Sequence, residues 1–167
     1  GIVSNNLGCY RFFALDPNIV TTLEYSICHD TSGTSASSGN GIYISSELAP
    51  TPNLVIHHNT VARVNSSVST TYGGISSDRQ GFGPNVIIRD NLVDINSGGQ
   101  YGRAIDFGAI SSLPATLNYN AYYKNGSTLT WGYNGVEYNT FSGWQGATNR
   151  DANSRVLTST PFTDSAN

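Results

Sequence analysis

Apolar residues along the chain follow a short pattern in which an aliphatic strand runs into an asparagine turn and a second strand. The clearest copies are residues 53–61 and 85–93, with a looser copy at 117–122 and a degenerate one at 23–28. The copies recur at intervals of roughly 30 residues, which is the behaviour of repeat proteins. The sequence therefore predicts stacked units that bury their apolar faces against one another.

A second marker, a small residue followed by a branched one, keeps the same interval. It occurs at Gly1-Ile2, Gly41-Ile42, Gly74-Ile75, Ala104-Ile105 and Gly135-Val136. Helical repeats share this period, so the spacing alone does not decide the architecture. Composition decides it, because the repeats are rich in Val, Ile, Tyr, Thr and Asn, and the chain has 18 Gly, no Met and a single Lys. Such repeats favour β-strands over amphipathic helices.

Each unit is predicted to contain three short strands, which in the clearest copy are residues 54–57, 60–64 and 74–77. Stacking such units gives a parallel β-helix with strands of successive turns ≈ 4.8 Å apart. Asn59, Asn91 and Asn120 then lie above one another at a tight corner, where Asn tolerates a left-handed backbone and its amide can bond the next turn. The residues expected to point inward are Ile75, Ile105, Val136, Ile56, Ile88 and Leu117.

The motif Asn-aliphatic-x-aliphatic-x-x-Asn-x-Val, over residues 15–140, resembles the right-handed parallel β-helix proteins of the pectin-lyase-like superfamily. The segment from Phe141 to Asp164 is similar to the tail that follows the last turns in many bacterial members. The resemblance implies an all-β, right-handed parallel β-helix over 1–140, incomplete at the N-terminus, and a tail over 141–167 that packs on or leaves the last turn. It also implies an extracellular or cell-surface location. Two departures are the degenerate first turn and Lys124, whose counterpart Ile95 should point inward.

Length and charge narrow the possible partners. The 167 residues fit one domain, and a formal charge of −3 with 11 % charged residues excludes a basic nucleic-acid-binding surface. No apolar run is long enough to span a membrane, and no signal peptide opens the chain. Because bare end turns expose unpaired strand edges, we expect a piece of a larger protein or a chain with a partner.

The cysteines raise the question of a disulfide, and the histidines raise the question of a metal site. Cys9 and Cys28 either pair in an oxidising compartment or remain separate, with Cys28 a small buried residue at the position of Val61 and Val93. Adjacent His57 and His58 should point to opposite faces of a strand. That rule loosens near a corner, but His29 lies a turn away and no Cys or Glu completes a ligand set, so the sequence predicts no metal site.

Aromatic residues gather just before the strand that carries the small-residue marker. They are Tyr72, Tyr101, Trp131 and Tyr133. Long loops rich in Ser, Gly and Thr (31–40, 66–73 and 97–102) also lie on this side, where binding residues are common in repeat proteins. These aromatic rings either stack on sugars or pack against the flank of the stack.

Aligning the marked strands places Tyr43, Ser76, Asp106 and Glu137 in one outward column. Asp106 and Glu137 are then expected on adjacent turns, with Cα atoms roughly 5 Å apart. Two carboxylates this close raise the pKa of one of them unless a cation intervenes. Three further residues should lie near the pair, namely Asp78, Arg79 and Arg103.

Such an acid pair has several uses. It suits retaining glycoside hydrolysis, or it could hold Ca²⁺ for β-elimination from a uronate, or it could serve glycan binding without chemistry. It could also be an ordinary solvated surface. In the superfamily that the chain resembles, the active groove runs along the strand placed like 74–77.

The sequence thus predicts a carbohydrate-active domain that cleaves a poly- or oligosaccharide, with hydrolysis slightly favoured because few bases are present. The expected catalytic residues are Asp106, Glu137, Asp78 and Arg103, and the expected substrate-binding residues are Tyr43, Arg79, Tyr101 and Trp131. No cofactor is certain, and Ca²⁺ is the one considered. The alternative is a non-catalytic adhesive or glycan-binding segment, for which the outward apolar pair Val55 and Ile87 is suited. An open groove at Asp106 and Glu137 favours the enzyme, and a packed face favours the alternative.

Overall fold

The structure is a computed structural model that describes residues 9–12, 16, 18–29, 32–33, 40–45, 53–66, 73–77, 82, 84–95, 102–108, 112–126 and 128–162. These residues form an all-β solenoid of about three turns, which confirms the predicted parallel β-helix. In chain order the described strands are β1 (Tyr10–Phe12), β2 (Val20–Glu24), β3 (Ile27–His29), β4 (Ser32–Gly33), β5 (Ile42–Ile44), β6 (Asn53–His57), β7 (Thr60–Ser66), β8 (Gly73–Ser77), β9 (Val86–Arg89), β10 (Leu92–Ile95), β11 (Arg103–Phe107), β12 (Thr116–Asn118), β13 (Ala121–Lys124), β14 (Thr130–Tyr133), β15 (Val136–Tyr138) and β16 (Arg155–Val156). A helix, α1 (Phe141–Thr148), follows β15.

Three sheets form the walls of the solenoid. Sheet A has the strand order β1-β5-β8-β11-β14-β15, sheet B has β12-β9-β6-β2, and sheet C has β16-β13-β10-β7-β3 with β4 also paired to β7. Each complete turn visits sheets B, C and A in sequence, as β6, β7 and β8 do. The unit predicted at 54–57, 60–64 and 74–77 therefore has the right strands, each extended by one or two residues.

The core is a set of aligned apolar columns inside the three walls. Ile42, Ile75 and Ile105 pair in register on sheet A and are fully buried. The predicted inward positions on sheet B are also buried, at Ile56, Ile88 and Leu117. A Cβ at Gly74 would lie 2.1 Å from Val93 Cγ1. The small-residue marker therefore exists because a valine from sheet C fills that space.

The predicted asparagine ladder is confirmed. Asn59 Nδ2 donates to Asn91 Oδ1 at 3.1 Å, and Asn91 Nδ2 donates to Asn120 Oδ1 at 3.1 Å. Each amide oxygen also accepts a backbone N–H of the turn before it, as Asn59 Oδ1 does from Ser26 N–H at 3.1 Å. Because all three amides are buried and bonded, the ladder satisfies polar groups at the corner.

The left-handed residue at each corner is the one before the ladder position, which is an asparagine in three copies and Ser26 in the first. Tyr25, His58, Asp90 and Tyr119 have φ values of 48°, 54°, 56° and 58°. The prediction that the ladder residue takes the left-handed conformation is therefore wrong. The asparagine turns its side chain inward, and the residue in front of it bends the chain.

The C-terminal end departs from the repeat after β14. Asn134 and Gly135 have φ values of 52° and 75°, and the chain returns as β15, antiparallel to β14. Asn-Gly is the dipeptide that favours such a two-residue hairpin. Val136 is consequently 50 % exposed, so its predicted inward position is wrong. Trp131 takes that inward place, aligned with Ile105.

Asp151 completes the last corner of the solenoid. Its carboxylate accepts hydrogen bonds from Asn120 Nδ2 at 3.3 Å, Tyr122 OH at 3.0 Å, Trp144 Nε1 at 2.8 Å and Ser154 Oγ. The carboxylate is fully buried, and burial raises its pKa while these donors oppose the rise. A non-repeating segment thus places an acceptor where a further asparagine would stand.

A disulfide fastens the N-terminal end. Cys9 and Cys28 are bonded with their Cα atoms 5.6 Å apart, which decides the alternative left open by the sequence. Cys28 also aligns with Val61 and is buried, so it fills the inner column as well. The bond joins the residue before β1 of sheet A to β3 of sheet C.

Candidate functional site

The outer face of sheet A carries the column that the sequence singled out. Strand pairing aligns Tyr43 with Ser76 and Ser76 with Asp106, so this part of the column is confirmed. The next position is Gly132, which pairs with Asp106 on one side and with Glu137 on the other. The prediction that Asp106 and Glu137 lie on adjacent turns is therefore wrong, because the C-terminal hairpin inserts β14 between them.

Arg103 joins the two acids across Gly132. Its Nη1 lies 3.0 Å from Asp106 Oδ1, and its Nε and Nη2 each lie 3.0 Å from Glu137 Oε2. A Cβ at position 132 would lie 2.4 Å from Asp106 Oδ1 and 2.6 Å from Arg103 Nη1, so glycine leaves the space that the bridge needs. One guanidinium thus makes charge-assisted hydrogen bonds to both β11 and the hairpin.

The two acids differ in their access to solvent. Asp106 is only 1 % exposed, whereas the side chain of Glu137 is 41 % exposed. Burial raises the pKa of Asp106 to about 6, against the lowering effect of Arg103 and with a small further rise from Glu137. Among the described residues, Asp106 Oδ2 has no hydrogen-bond partner. The open groove expected at this pair is therefore absent at Asp106.

This geometry limits the chemistry of the pair. Retaining hydrolysis needs two carboxyl groups that both reach the sugar, and Asp106 is closed off. A Ca²⁺ ion needs carboxylate oxygens as ligands, and Arg103 occupies the place between them, so the residues present do not fit Ca²⁺. Within the described ranges, no group of three or more His, Cys, Asp or Glu could hold a metal ion together. The pair is an ion cluster closed around Arg103, with Asp106 buried and Glu137 partly exposed.

Tyr43 lies toward the N-terminal end of the same column and has a partner of its own. The Cζ of Arg11 lies 5.3 Å from the centre of the Tyr43 ring, in the range of a cation–π interaction. Arg11 pairs in register with Tyr43 and so extends the column by one strand. The sequence analysis missed Arg11 because β1 carries no copy of the repeat motif.

Ser76, between Tyr43 and Asp106, is satisfied from a neighbouring loop. Its hydroxyl donates to Asn40 Oδ1 at 2.8 Å, and both residues are buried. The outward face of β8 is thus covered rather than presented to solvent. Asn40, which the sequence analysis did not single out, has no counterpart in the repeat that would have indicated this role.

Trp131 does not lie on a binding surface. It is 1 % exposed, and its ring meets Tyr122 at 5.8 Å and Phe141 at 5.2 Å between centroids. Its expected role in substrate binding is therefore wrong, and it packs inside the core and not against the flank of the stack. The reason is the hairpin, which moves β14 into the inner register that residue 136 was expected to fill.

The sequence analysis named four further residues, of which the structure describes only Lys124. Asp78, Arg79 and Tyr101 lie outside the described residues, and their roles stay predictions. Lys124 does align with Ile95, and its Nζ reaches the carbonyl oxygen of Thr128 at 3.2 Å. Partial burial lowers the pKa of Lys124, and the negative charge of Glu137 opposes that change.

Comparison of the chain with protein-family models, with curated proteins and with solved structures gives no match. The fold and the site are therefore interpreted from their own geometry. Across the described part of the chain, no helix has the length and apolar character needed to cross a bilayer.

Proposed function

We propose that this chain is a non-catalytic, glycan-binding or adhesive segment of an extracellular β-helix protein of the pectin-lyase-like type. The observation that carries the proposal is the bridge from Arg103 to both Asp106 and Glu137, with Asp106 buried. The acids expected to perform catalysis instead both bind Arg103, which ties β15 to β11 across β14. A face closed in this way supports a rigid scaffold better than an enzyme.

The binding surface that we propose is sheet B with its corner. Thr22, Val55, Ile87 and Thr116 align across the four strands of its outer face. At the corner beside it, Tyr25 and Tyr119 are 74 % and 56 % exposed. They are three strands apart, roughly 14 Å. The uncharged column, the exposed aromatic rings at the corner and the polar column of Glu24, His57 and Arg89 between them together form the kind of surface on which sugar rings stack and hydrogen-bond.

The compartment is part of the same proposal. Disulfides persist in oxidising environments such as the extracellular space, and the Cys9–Cys28 bond fits such a location. The low content of charged residues, 11 %, fits a neutral or weakly charged glycan as ligand.

A binding screen tests the proposal. We expect the intact chain to bind at least one member of an oligosaccharide panel and to release no reducing ends or unsaturated products from it. Tyr25→Ala and Tyr119→Ala should each weaken binding roughly 10-fold, because each removes one stacking surface. Tyr123→Ala on sheet C is the matched control and should bind normally. No binding by the intact chain, or equal binding by all variants, contradicts the proposal.

Glycan cleavage, with hydrolysis favoured over elimination, remains the second candidate because of one observation. A carboxyl group with a pKa of about 6 beside a second acid is the environment of a general acid. If the chain cleaves a glycan, Asp106→Asn and Glu137→Gln should each lower turnover at least ~10²-fold. Asp16→Asn, a change at an exposed acid that precedes β2, is the control. Full activity in both variants would place the chemistry elsewhere.

A further inference from the structure

A pair of histidines lies at the corner where sheet B ends. His57 is the last residue of β6, and strand alternation would send His58 to the opposite side. The left-handed backbone of His58, with φ at 54°, turns its ring back instead. The two Nδ1 atoms are 2.7 Å apart, and the ring centres are 4.8 Å apart. The sequence-based reason for excluding a shared site therefore does not hold at this corner.

Glu24 sets the protonation of this pair. Its Oε2 lies 3.1 Å from His57 Nε2, so this nitrogen carries the proton and donates it to the carboxylate. In neutral His57 the lone pair is then on Nδ1. One hydrogen shared between the two Nδ1 atoms accounts for their 2.7 Å contact. Two ligand-type nitrogens thus converge on one shared proton.

Two sets of contacts fix the corner that carries His57 and His58. The ring of Tyr25 stacks on His58 with centres 5.2 Å apart and an interplanar angle of 15°. Asn59 follows directly, and both its backbone N–H and its Nδ2 donate to Asn91 Oδ1 at 3.1 Å. The asparagine ladder therefore fixes the backbone from which both imidazoles project, which reduces the ordering needed to bind a ligand.

The next turn carries a different pair at the same two positions. Arg89 aligns with His57, and its guanidinium contacts the carboxylate of the adjacent Asp90. On the other side of His57, Glu24 contributes a negative charge. Arg89 is therefore paired with Asp90. The carboxylate beside the histidines is that of Glu24, which orients His57.

We propose that His57 and His58 bind a divalent copper ion through their two Nδ1 atoms, with Glu24 orienting His57 and water completing the coordination. The ion takes the place of the shared proton, and neutral His58 then carries its proton on Nε2. No thiol or third side chain is needed, which agrees with the absence of a larger group of metal ligands among the described residues. A carboxylate that accepts the distal N–H of a ligating histidine raises its basicity.

The type of ligand, more than the separation of the two nitrogens, favours copper. With metal–nitrogen distances of about 2.0 Å, a right angle at the metal places two nitrogens about 2.8 Å apart, and a tetrahedral angle places them about 3.3 Å apart. The two Nδ1 atoms now lie 2.7 Å apart across a hydrogen bond, so a small rotation of the rings brings both within reach of one ion at either angle. Square or tetragonal coordination by nitrogen and oxygen is typical of Cu²⁺ and Ni²⁺, and Cu²⁺ binds imidazole more tightly than Zn²⁺ does.

The test is a titration of the intact protein with CuCl₂ and, separately, with ZnCl₂, followed by calorimetry and electron paramagnetic resonance. The chain suits it, because it has three His and no Met, and both Cys are in the disulfide. We expect one Cu²⁺ with a tetragonal spectrum and coupling to two imidazole nitrogens. Zn²⁺ should bind at least ~10-fold more weakly.

Variants assign the site. His57→Gln and His58→Asn should each weaken Cu²⁺ binding at least ~10-fold and remove one nitrogen coupling, and Asn is chosen because it tolerates the left-handed backbone. Glu24→Ala should weaken binding about 10-fold while both couplings remain. His29→Ala, the matched control, should bind as the parent does. Unchanged binding in the first two variants, or tighter binding of Zn²⁺ than of Cu²⁺, would overturn the proposal.

Discussion

The asparagine corner in the middle of the solenoid and the corner at its C-terminal end solve the same problem with different residues. In the middle, the amide of Asn91 bonds the amide of Asn120, a copy of itself one turn later. At the end, Asn120 has no such copy and bonds Asp151, which arrives after α1. Ser154 supplies the other contact, since its hydroxyl accepts the backbone N–H of Asn120 at 2.8 Å.

The difference teaches how a repeat protein ends. A repeated residue can satisfy its neighbours only where another turn follows, because each contact is made between equivalent positions. At the last turn the donors are still present and buried, so they need acceptors that no repeat provides. The segment 149–156 supplies them, and Tyr122 and Trp144 share the same carboxylate.

The largest effect is expected from removing the acceptor at the end. Asp151→Ala would leave the buried donors of Asn120, Tyr122 and Trp144 without a partner, at a cost of about 3–5 kcal/mol in the free energy of unfolding. Urea denaturation measures it. Asp151→Asn keeps one acceptor oxygen and should lose less. A loss below about 1 kcal/mol for Asp151→Ala would show that the end corner does not depend on this residue.

A pair of truncations compares the core of the repeat with the hairpin that ends it. Ile105→Ala should cost roughly 2–5 kcal/mol, because the side chain is fully buried and a cavity remains. Val136→Ala, at the marker position expected to be equivalent, should change stability by less than about 0.5 kcal/mol because the residue is half exposed. Equal losses in thermal or urea unfolding would contradict the observed register.

The ion cluster that joins the last regular turn to the hairpin should make stability depend on pH. The pKa of Asp106 is about 6 in the folded protein and 3.8 as its ordinary value, so the folded state binds more protons between these pH values. Its contribution is greatest below about pH 4 and is lost as pH rises to about 6, a change on the order of 2–3 kcal/mol.

Asp106→Asn, which keeps an acceptor for Arg103, isolates this contribution. The difference in unfolding free energy between parent and variant, measured by urea at pH 4, 5, 6 and 7, should change across this window and be constant above it. Asn125→Ala, a change at an exposed residue that does not titrate, should leave the slope of the parent in place. A difference for Asp106→Asn that does not vary with pH would mean that the carboxyl titrates normally.

The smallest of these effects is expected from the middle of the ladder. Asn91→Ala removes the acceptor of two donors of Asn59 and one donor to the carbonyl of Ile56, and should cost on the order of 1–3 kcal/mol. Asn125→Ala, an exposed asparagine outside the ladder, is the control and should be nearly neutral. Thermal stability of Asn91→Ala equal to that of the control would count against the ladder.

Much of the fold follows from the sequence because the same pattern of residues occurs in several copies. The positions of Asn59, Asn91 and Asn120, and the inward places of Ile75 and Ile105, recur at one interval, so several independent copies support one register. The Asn134-Gly135 dipeptide is a hairpin signal that the sequence analysis did not use, because Gly135-Val136 also matches the marker of one more regular turn. The repeat period, which no longer applies after β14, was thus given more weight than the local turn signal.

The candidate site could be predicted only in part, for a related reason. The alignment of Tyr43, Ser76 and Asp106 follows from the repeat, whereas the neighbours of Asp106 depend on the first strand that breaks it. Gly132 occupies the place expected for Glu137, and Arg103 reaches both acids because that place has no side chain. Whether an outward acid is open or covered depends on contacts that the strand pattern does not encode.

The sequence by itself determined the architecture, the period and the ladder, because each is a local pattern repeated along the chain. Only the tertiary structure decided the contacts made once. These are the Cys9–Cys28 bond, the Arg103 bridge, the carboxylate of Asp151 at the last corner and the meeting of His57 with His58. In each contact, the distance between the residues depends on where the chain bends at a corner or on where the stack of turns ends. Such contacts have no second copy from which a pattern could be recognised.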